Sequence, residues 1–92
     1  MTWIKIDDGL PDHPKVVGLS DEAFRLYISG LCYAGKYLTD GFIPHLVAAR
    51  YGRSDCAPEL VEAGLWDEVD SGFGIHDYLR HQSSRVQVEA AK

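Results

Sequence analysis

The stretch that decides the fold is residues 56–78, CAPELVEAGLWDEVDSGFGIHDY, because the spacing of its apolar residues changes partway along. Up to Gly64 the apolar residues share one face of a helix. Gly64 itself is typical of the residue that follows a helix, because glycine accepts the left-handed conformation. Ser54 or Asp55 is suited to cap the start. The first part therefore predicts a helix over about residues 56–64.

The second part of the stretch has the two-residue period of β-strands. Two runs rich in aromatic and β-branched residues, 65–69 and 73–78, flank the segment Asp70-Ser71-Gly72. This spacing predicts a β-hairpin with a loop of about three residues and glycine at the position that needs an unusual backbone conformation. The hairpin would begin directly after the helix.

The clearest helix upstream spans about residues 21–38. Ser20 is suited to the N-cap, and the two acidic residues that follow it favour the positive end of the helix dipole. Gly30 and Gly35 cost about 1 kcal/mol each relative to alanine inside a helix, so they predict that a neighbouring element approaches the helix backbone there. The predicted apolar face consists of Phe24, Tyr27, Ile28, Leu31, Ala34 and Leu38.

A second, shorter helix is predicted over about residues 44–51, opened by a proline and closed by Gly52 in a left-handed conformation. Residues 42–43 would form an extended link into it. Near the start, residues 3–6 have the composition of a short strand, and residues 12–18 of one helical turn.

Helix, short extended segment, helix, tight turn, helix and hairpin is the order of a winged helix-turn-helix. We therefore expect an α+β fold, with a three-helix core and a C-terminal β-hairpin wing; a plain three-helix bundle with an added hairpin is the alternative. The expected winged-helix domain covers residues 1–82. Residues 83–92 would start a C-terminal helix or form a linker to a further region.

Five segments carry a family resemblance: WIKI at 3–6, LSDEAFRLY at 19–27, DGFIP at 40–44, LVEAGLW at 60–66 and GIHDY at 74–78. Together they resemble the N-terminal winged-helix module of bacteriophage replication proteins, the replisome-organiser and DnaD-like group. The similarity extends from about residue 3 to 85, and its motifs are mostly structural. The resemblance implies a role in replication initiation, through DNA binding, self-association or recruitment of replication proteins.

The acidic residues are concentrated in one segment. The chain has 92 residues and a net charge of −5, yet residues 54–78 contain seven acidic residues and neither lysine nor arginine. In a DNA-reading winged helix the third helix and the wing approach phosphates, which favours basic residues. Binding of DNA in that usual pose is therefore disfavoured for this chain.

Two functional hypotheses remain. In the first, the module binds DNA through basic residues on the helix-to-helix turn, on the first helix and, with His81, after the hairpin, helped by basic residues beyond residue 92 or by dimerisation. These candidate DNA-binding residues are Lys36, Arg50, Arg53, Arg80 and Arg85. In the second, the module binds a replication protein or a second copy of itself, with large aromatic residues as anchors. The candidate interface residues are Trp3, Glu59, Glu62, Trp66 and Tyr78.

Catalysis is not expected from this sequence. A chain of this length hides roughly 60–65% of its surface, enough for one core but not for a deep substrate cleft as well. We expect no enzymatic activity, cofactor, metal or small-molecule substrate, and we expect Cys32 and Cys56 to be reduced core residues. Without a signal peptide or an apolar run of membrane-spanning length, the predicted location is the cytoplasm, with no membrane partner.

Overall fold

The computed structural model describes residues 3–82 and 84–90. It is an α+β fold in which helices pack against one three-stranded antiparallel sheet. A 3-10 turn at Leu10–Asp12 precedes the regular elements. These are α1 (Asp21–Tyr37), β1 (Phe42–Pro44), α2 (His45–Tyr51), α3 (Cys56–Glu62), β2 (Trp66–Val69), β3 (Gly72–Ile75), α4 (Tyr78–His81) and α5 (Arg85–Ala90).

Helix α1 begins and ends as its sequence predicts. The Ser20 hydroxyl accepts a hydrogen bond from the Ala23 amide at 3.1 Å, which satisfies one of the donors left free at a helix start. Leu38 adopts the left-handed conformation at the C-cap, where its amide donates to the Ala34 carbonyl. The predicted helix over 21–38 is therefore confirmed to within one residue.

The two glycines inside α1 lie where other parts of the chain approach it, as expected. A Cβ at Gly30 would lie 2.8 Å from Cζ2 of Trp66, and one at Gly35 would overlap the side chain of Ile4. The indole of Trp66 thus packs on the backbone of α1. The N-terminal segment, residues 3–17, crosses the same helix nearer the C-terminal end of the helix.

The predicted hairpin is confirmed, and it belongs to a larger sheet. Strand β3 is central, with β2 on one side and β1 on the other. The extended link predicted at 42–43 is thus a paired strand, with Phe42 opposite Gly74. Val69 lies opposite Gly72, so the loop contains two residues rather than three and Gly72 is part of the strand. This glycine is required by close packing, because a Cβ there would overlap the backbone of Ile43 in β1.

Three local predictions are wrong. Residues 3–6 form no strand and are not part of the sheet, because the backbone of Lys5 pairs with the Gln82 side chain instead. Gly52 is extended, with φ −155°, rather than left-handed. Tyr78 does not extend the hairpin but opens α4, because Asp77 turns the chain with a positive φ of 56°.

The core lies between the helices and the inner face of the sheet. Its largest fully buried side chains are Trp66, Leu26, Ile43, Leu60 and Cys56. Cys56 is a core residue as predicted, whereas Cys32 is exposed. Cys32 follows the buried Leu31, and successive residues of a helix point about 100° apart, so it leaves the buried face. Within the described residues, no helix combines the length and the apolar character needed to cross a bilayer.

Candidate nucleic-acid interface

Three arginines from two parts of the chain converge on one small cleft. Arg25 lies on the first turns of α1, Arg50 on the last turn of α2, and Arg53 in the turn between α2 and α3. Together with Glu22 and Tyr51 they line a cavity of about 280 Å³. The sequence predicted a role for two of these arginines but gave none to Arg25.

The close approach of α1 to the turn after α2 creates this cleft. A Cβ at Gly52 would lie 3.3 Å from Cβ of Leu26 and 3.4 Å from Cβ of Cys56, so the turn passes tightly between two buried side chains. Its extended conformation carries the chain from the end of α2 across α1. The neighbouring Arg53 is thereby placed beside the start of α1.

The Arg53 guanidinium forms ion pairs with two carboxylates. Its Nη2 lies 2.6 Å from Glu22 Oε2, and its Nε lies 3.5 Å from Asp55 Oδ1. The negative charge of Glu22, followed by that of Asp55, raises the pKa of the Arg53 guanidinium. All three side chains are exposed, so the pairs contribute little to stability. They do position the guanidinium at the mouth of the cleft.

Arg25 and Arg50 are the available positive charges of the cleft. Both are exposed, and in residues 3–82 and 84–90 no carboxylate oxygen lies within 4 Å of either guanidinium. The sequence contained no signal for Arg25, because its spacing of three residues from Glu22 predicts an ion pair within α1 rather than a free guanidinium. What the sequence did not show was that this face of α1 meets the end of α2.

The other predicted DNA-binding residues lie at the opposite end of α1. Lys36 is eleven positions after Arg25, about 16 Å along the helix axis. Its Nζ stands 5.4 Å from the ring centroid of Tyr37. Arg85 belongs to the same end, because its amide donates to the Asp40 side chain at 2.7 Å.

The guanidinium groups of the remaining predicted arginines are paired within the chain. Arg85 Nε lies 2.9 Å from Glu89 Oε1, and Arg80 Nη1 lies 3.5 Å from Asp77 Oδ2. His81 follows Arg80 in the last turn of α4. The five predicted DNA-binding residues thus form two groups. Arg50 and Arg53 lie at the cleft, beside the α2–α3 turn, and the other three lie at the opposite end of α1.

Three of the five predicted protein-interface residues are engaged inside the fold. Trp66 is fully buried and Tyr78 is 5% exposed, so neither is available as an anchor. Glu59 accepts hydrogen bonds from the Ser20 amide and hydroxyl at 2.7 and 2.8 Å and ties α3 to the start of α1. Trp3 is 84% exposed, and Glu62 is exposed as well.

The hairpin and the outer face of α3 are acidic, as the sequence predicted. Asp67, Glu68 and Asp70 are exposed on the hairpin. One lysine from outside the acidic segment reaches the end of α3, where Lys15 Nζ donates to the Gly64 carbonyl at 3.2 Å. This face therefore does not offer the cluster of cations that a phosphate backbone requires.

The described residues give no sign of a metal centre, since no group of three His, Cys, Asp or Glu side chains is placed to hold an ion. Comparison of the chain with protein-family models, with curated proteins and with solved structures gave no match in any of the three searches.

Proposed function

We propose that this chain is a winged helix-turn-helix module of a phage-type DNA replication or regulatory protein, without catalytic activity of its own, and that it binds DNA through the cleft formed by Arg25, Arg50 and Arg53. The element order supports the first part. A short turn at 52–55 joins α2 to α3, and the hairpin follows at once and pairs with β1. This order is consistent with a winged helix.

The convergence of the three arginines is the observation that carries the DNA-binding part of the proposal. In a chain of net charge −5, one cleft is lined by two guanidiniums that have no acidic partner among residues 3–82 and 84–90 and by a third held in place by Glu22. Arginine forms planar, two-pronged hydrogen bonds with phosphate, and binding is favoured by release of the counterions that surround DNA. The cleft lies beside the α2–α3 turn, so the acidic hairpin need not approach the duplex.

The first prediction concerns duplex binding at two salt concentrations. Changing Arg25→Ala together with Arg50→Ala should weaken binding about tenfold or more on every sequence tested, since phosphate contacts carry no sequence information. The slope of log affinity against log salt should fall by roughly 2, because two phosphate contacts are lost. A gel-shift titration measures both quantities.

The matched control is Arg80→Ala together with Arg85→Ala. It changes the net charge by the same amount but at the far end of α1, where both arginines are already paired. We expect it to retain most of the affinity. Equal loss in the two double variants would assign binding to overall charge, and unchanged affinity of the Arg25 and Arg50 variant would remove the cleft from the mechanism.

The exposed acids on α3 and the hairpin favour a second function, binding of a basic protein surface. Glu62, Glu68 and Asp70 are exposed and available for it, together with Trp3. Light scattering on the gel-shift sample separates the two functions. A mass that rises with concentration, or a complex with a basic replication protein, in a sample that shifts no DNA would favour the interaction module.

A further inference from the structure

A second and larger cavity lies between the N-terminal segment and the rest of the domain. Its volume is about 570 Å³, which falls in the range of pockets that hold small organic molecules, roughly 300–1,000 Å³. One wall comes from residues 5–16, and the opposite wall comes from α1, from Leu65 and from the segment 75–82. It shares no residue with the arginine cleft.

The inner part of this cavity is apolar. Val16, Leu31, Leu65 and Ile75 line it, and each of them is less than 9% exposed. Leu31, Leu65 and Ile75 form a hydrocarbon wall on the core side, and Val16 belongs to the opposite wall. An apolar ring placed against such a wall would leave water at a gain of about 25 cal/mol for each Å² of surface that it buries.

The exposed rim of the cavity carries two ammonium groups and two carboxylates, which differ in their partners. Both carboxylates have partners within the chain: Asp7 Oδ1 accepts from the Gly9 amide at 2.7 Å, and Asp77 Oδ2 lies 3.5 Å from Arg80 Nη1 and 3.6 Å from His76 Nε2. In the described part of the chain, by contrast, neither Lys5 nor Lys15 has a carboxylate within 4 Å of its ammonium group. The one recorded bond of Lys15 Nζ is to a neutral carbonyl.

Two further lining residues also act as donors. The Lys15 amide donates to Nδ1 of His13 at 3.1 Å, so the ring proton of the neutral imidazole is on Nε2. The Tyr27 phenol is protonated at neutral pH, and burial raises its pKa further. A ligand with a negatively charged acceptor group would give the two ammonium groups a charged partner.

We propose that this cavity binds a small organic anion, whose flat apolar body packs against Leu31 and Leu65 and whose carboxylate, sulfonate or phosphate group meets Lys5, Lys15 and His13. The site is separate from the proposed DNA interface, and its occupation does not depend on that function. The N-terminal segment forms the outer wall, so that binding would also hold this segment against the domain.

The test uses anilinonaphthalene sulfonate, a flat aromatic anion, as the probe for the intact chain. Leu10 is half-buried and lines the cavity, whereas Val17 is in the same segment, is 67% exposed and does not line it. Leu10→Trp should therefore fill the cavity and lower the affinity at least about tenfold, while Val17→Trp should leave it unchanged. Titration calorimetry should give one site per chain for the unaltered protein.

The charge of the rim is tested with Lys5→Met together with Lys15→Met. This variant should bind the sulfonate at least about fivefold more weakly but bind the neutral N-phenylnaphthylamine as before, because only the anion loses its partners. Equal affinity of the Leu10→Trp and Val17→Trp variants, or equal loss of both probes in the lysine variant, would overturn the proposal. Should Leu10→Trp fail to fold, the two probes and the lysine variant still decide the question.

Discussion

At the scale of single residues, Gly72 shows how one missing side chain sets the position of a strand. A Cβ at Gly72 would overlap the backbone of Ile43, whereas one at Gly74, on the same strand, would make an ordinary contact 3.9 Å from Val69. Gly72→Ala should therefore lower the free energy of unfolding by about 2–3 kcal/mol, because β1 would have to shift. Gly74→Ala is the matched control and should change stability by less than about 1 kcal/mol.

Urea denaturation of the two variants measures this difference. A Gly72→Ala protein as stable as the unaltered chain would mean that β1 does not lie against β3 in the described register. The same comparison explains a wrong sequence prediction. The pattern indicated glycine in the hairpin loop for its backbone freedom, but at this position the small size of glycine is what matters.

At the scale of elements, one side chain of α3 holds the start of α1. Glu59 accepts two hydrogen bonds from Ser20, and Ser20 in turn caps the Ala23 amide. Glu59→Ala leaves the partly buried Ser20 amide without its acceptor, so we expect a loss of about 1–3 kcal/mol in the free energy of unfolding. Glu62→Ala removes the same charge from an exposed site of the same helix and should cost less than about 0.5 kcal/mol.

Thermal unfolding followed by circular dichroism compares these two variants. Equal melting temperatures would show that the contact between α3 and the N-cap is without consequence for stability. The sequence indicated Ser20 as a cap correctly, because capping is local. It assigned Glu59 to a surface, because nothing within α3 reveals that its side chain reaches a residue 39 positions away.

At the scale of the whole molecule, Gln82 joins the two ends of the described chain. Its amide oxygen accepts from the Lys5 amide at 2.9 Å and its amide nitrogen donates to the Lys5 carbonyl at 2.6 Å, although the residues are 77 positions apart. Gln82→Ala should release the N-terminal segment, so hydrogen exchange at the Lys5 amide should become at least about tenfold faster. The amides of β3 serve as the internal control and should keep their protection.

Unchanged exchange at Lys5 would show that other contacts, such as that of Ile4 with Gly35, hold the segment alone. This segment also forms the outer wall of the large cavity. The attachment of this segment depends on a residue 77 positions away, so a pattern restricted to residues 3–6 could not reveal it. The composition of those residues indicated a strand, but the Lys5 backbone pairs with the side-chain amide of Gln82 rather than with a neighbouring strand.

The sequence by itself determined α1, α2, α3, the hairpin and the acidic character of α3 and the hairpin, because capping, apolar period and charge are properties of neighbouring residues. Only the tertiary structure decided which surfaces are formed. It buried Trp66 and Tyr78, exposed Cys32, and separated Lys36 and Arg85 from the arginines of the cleft. It also brought Arg25 beside Arg50, since helices distant along the chain meet through packing that no local pattern encodes.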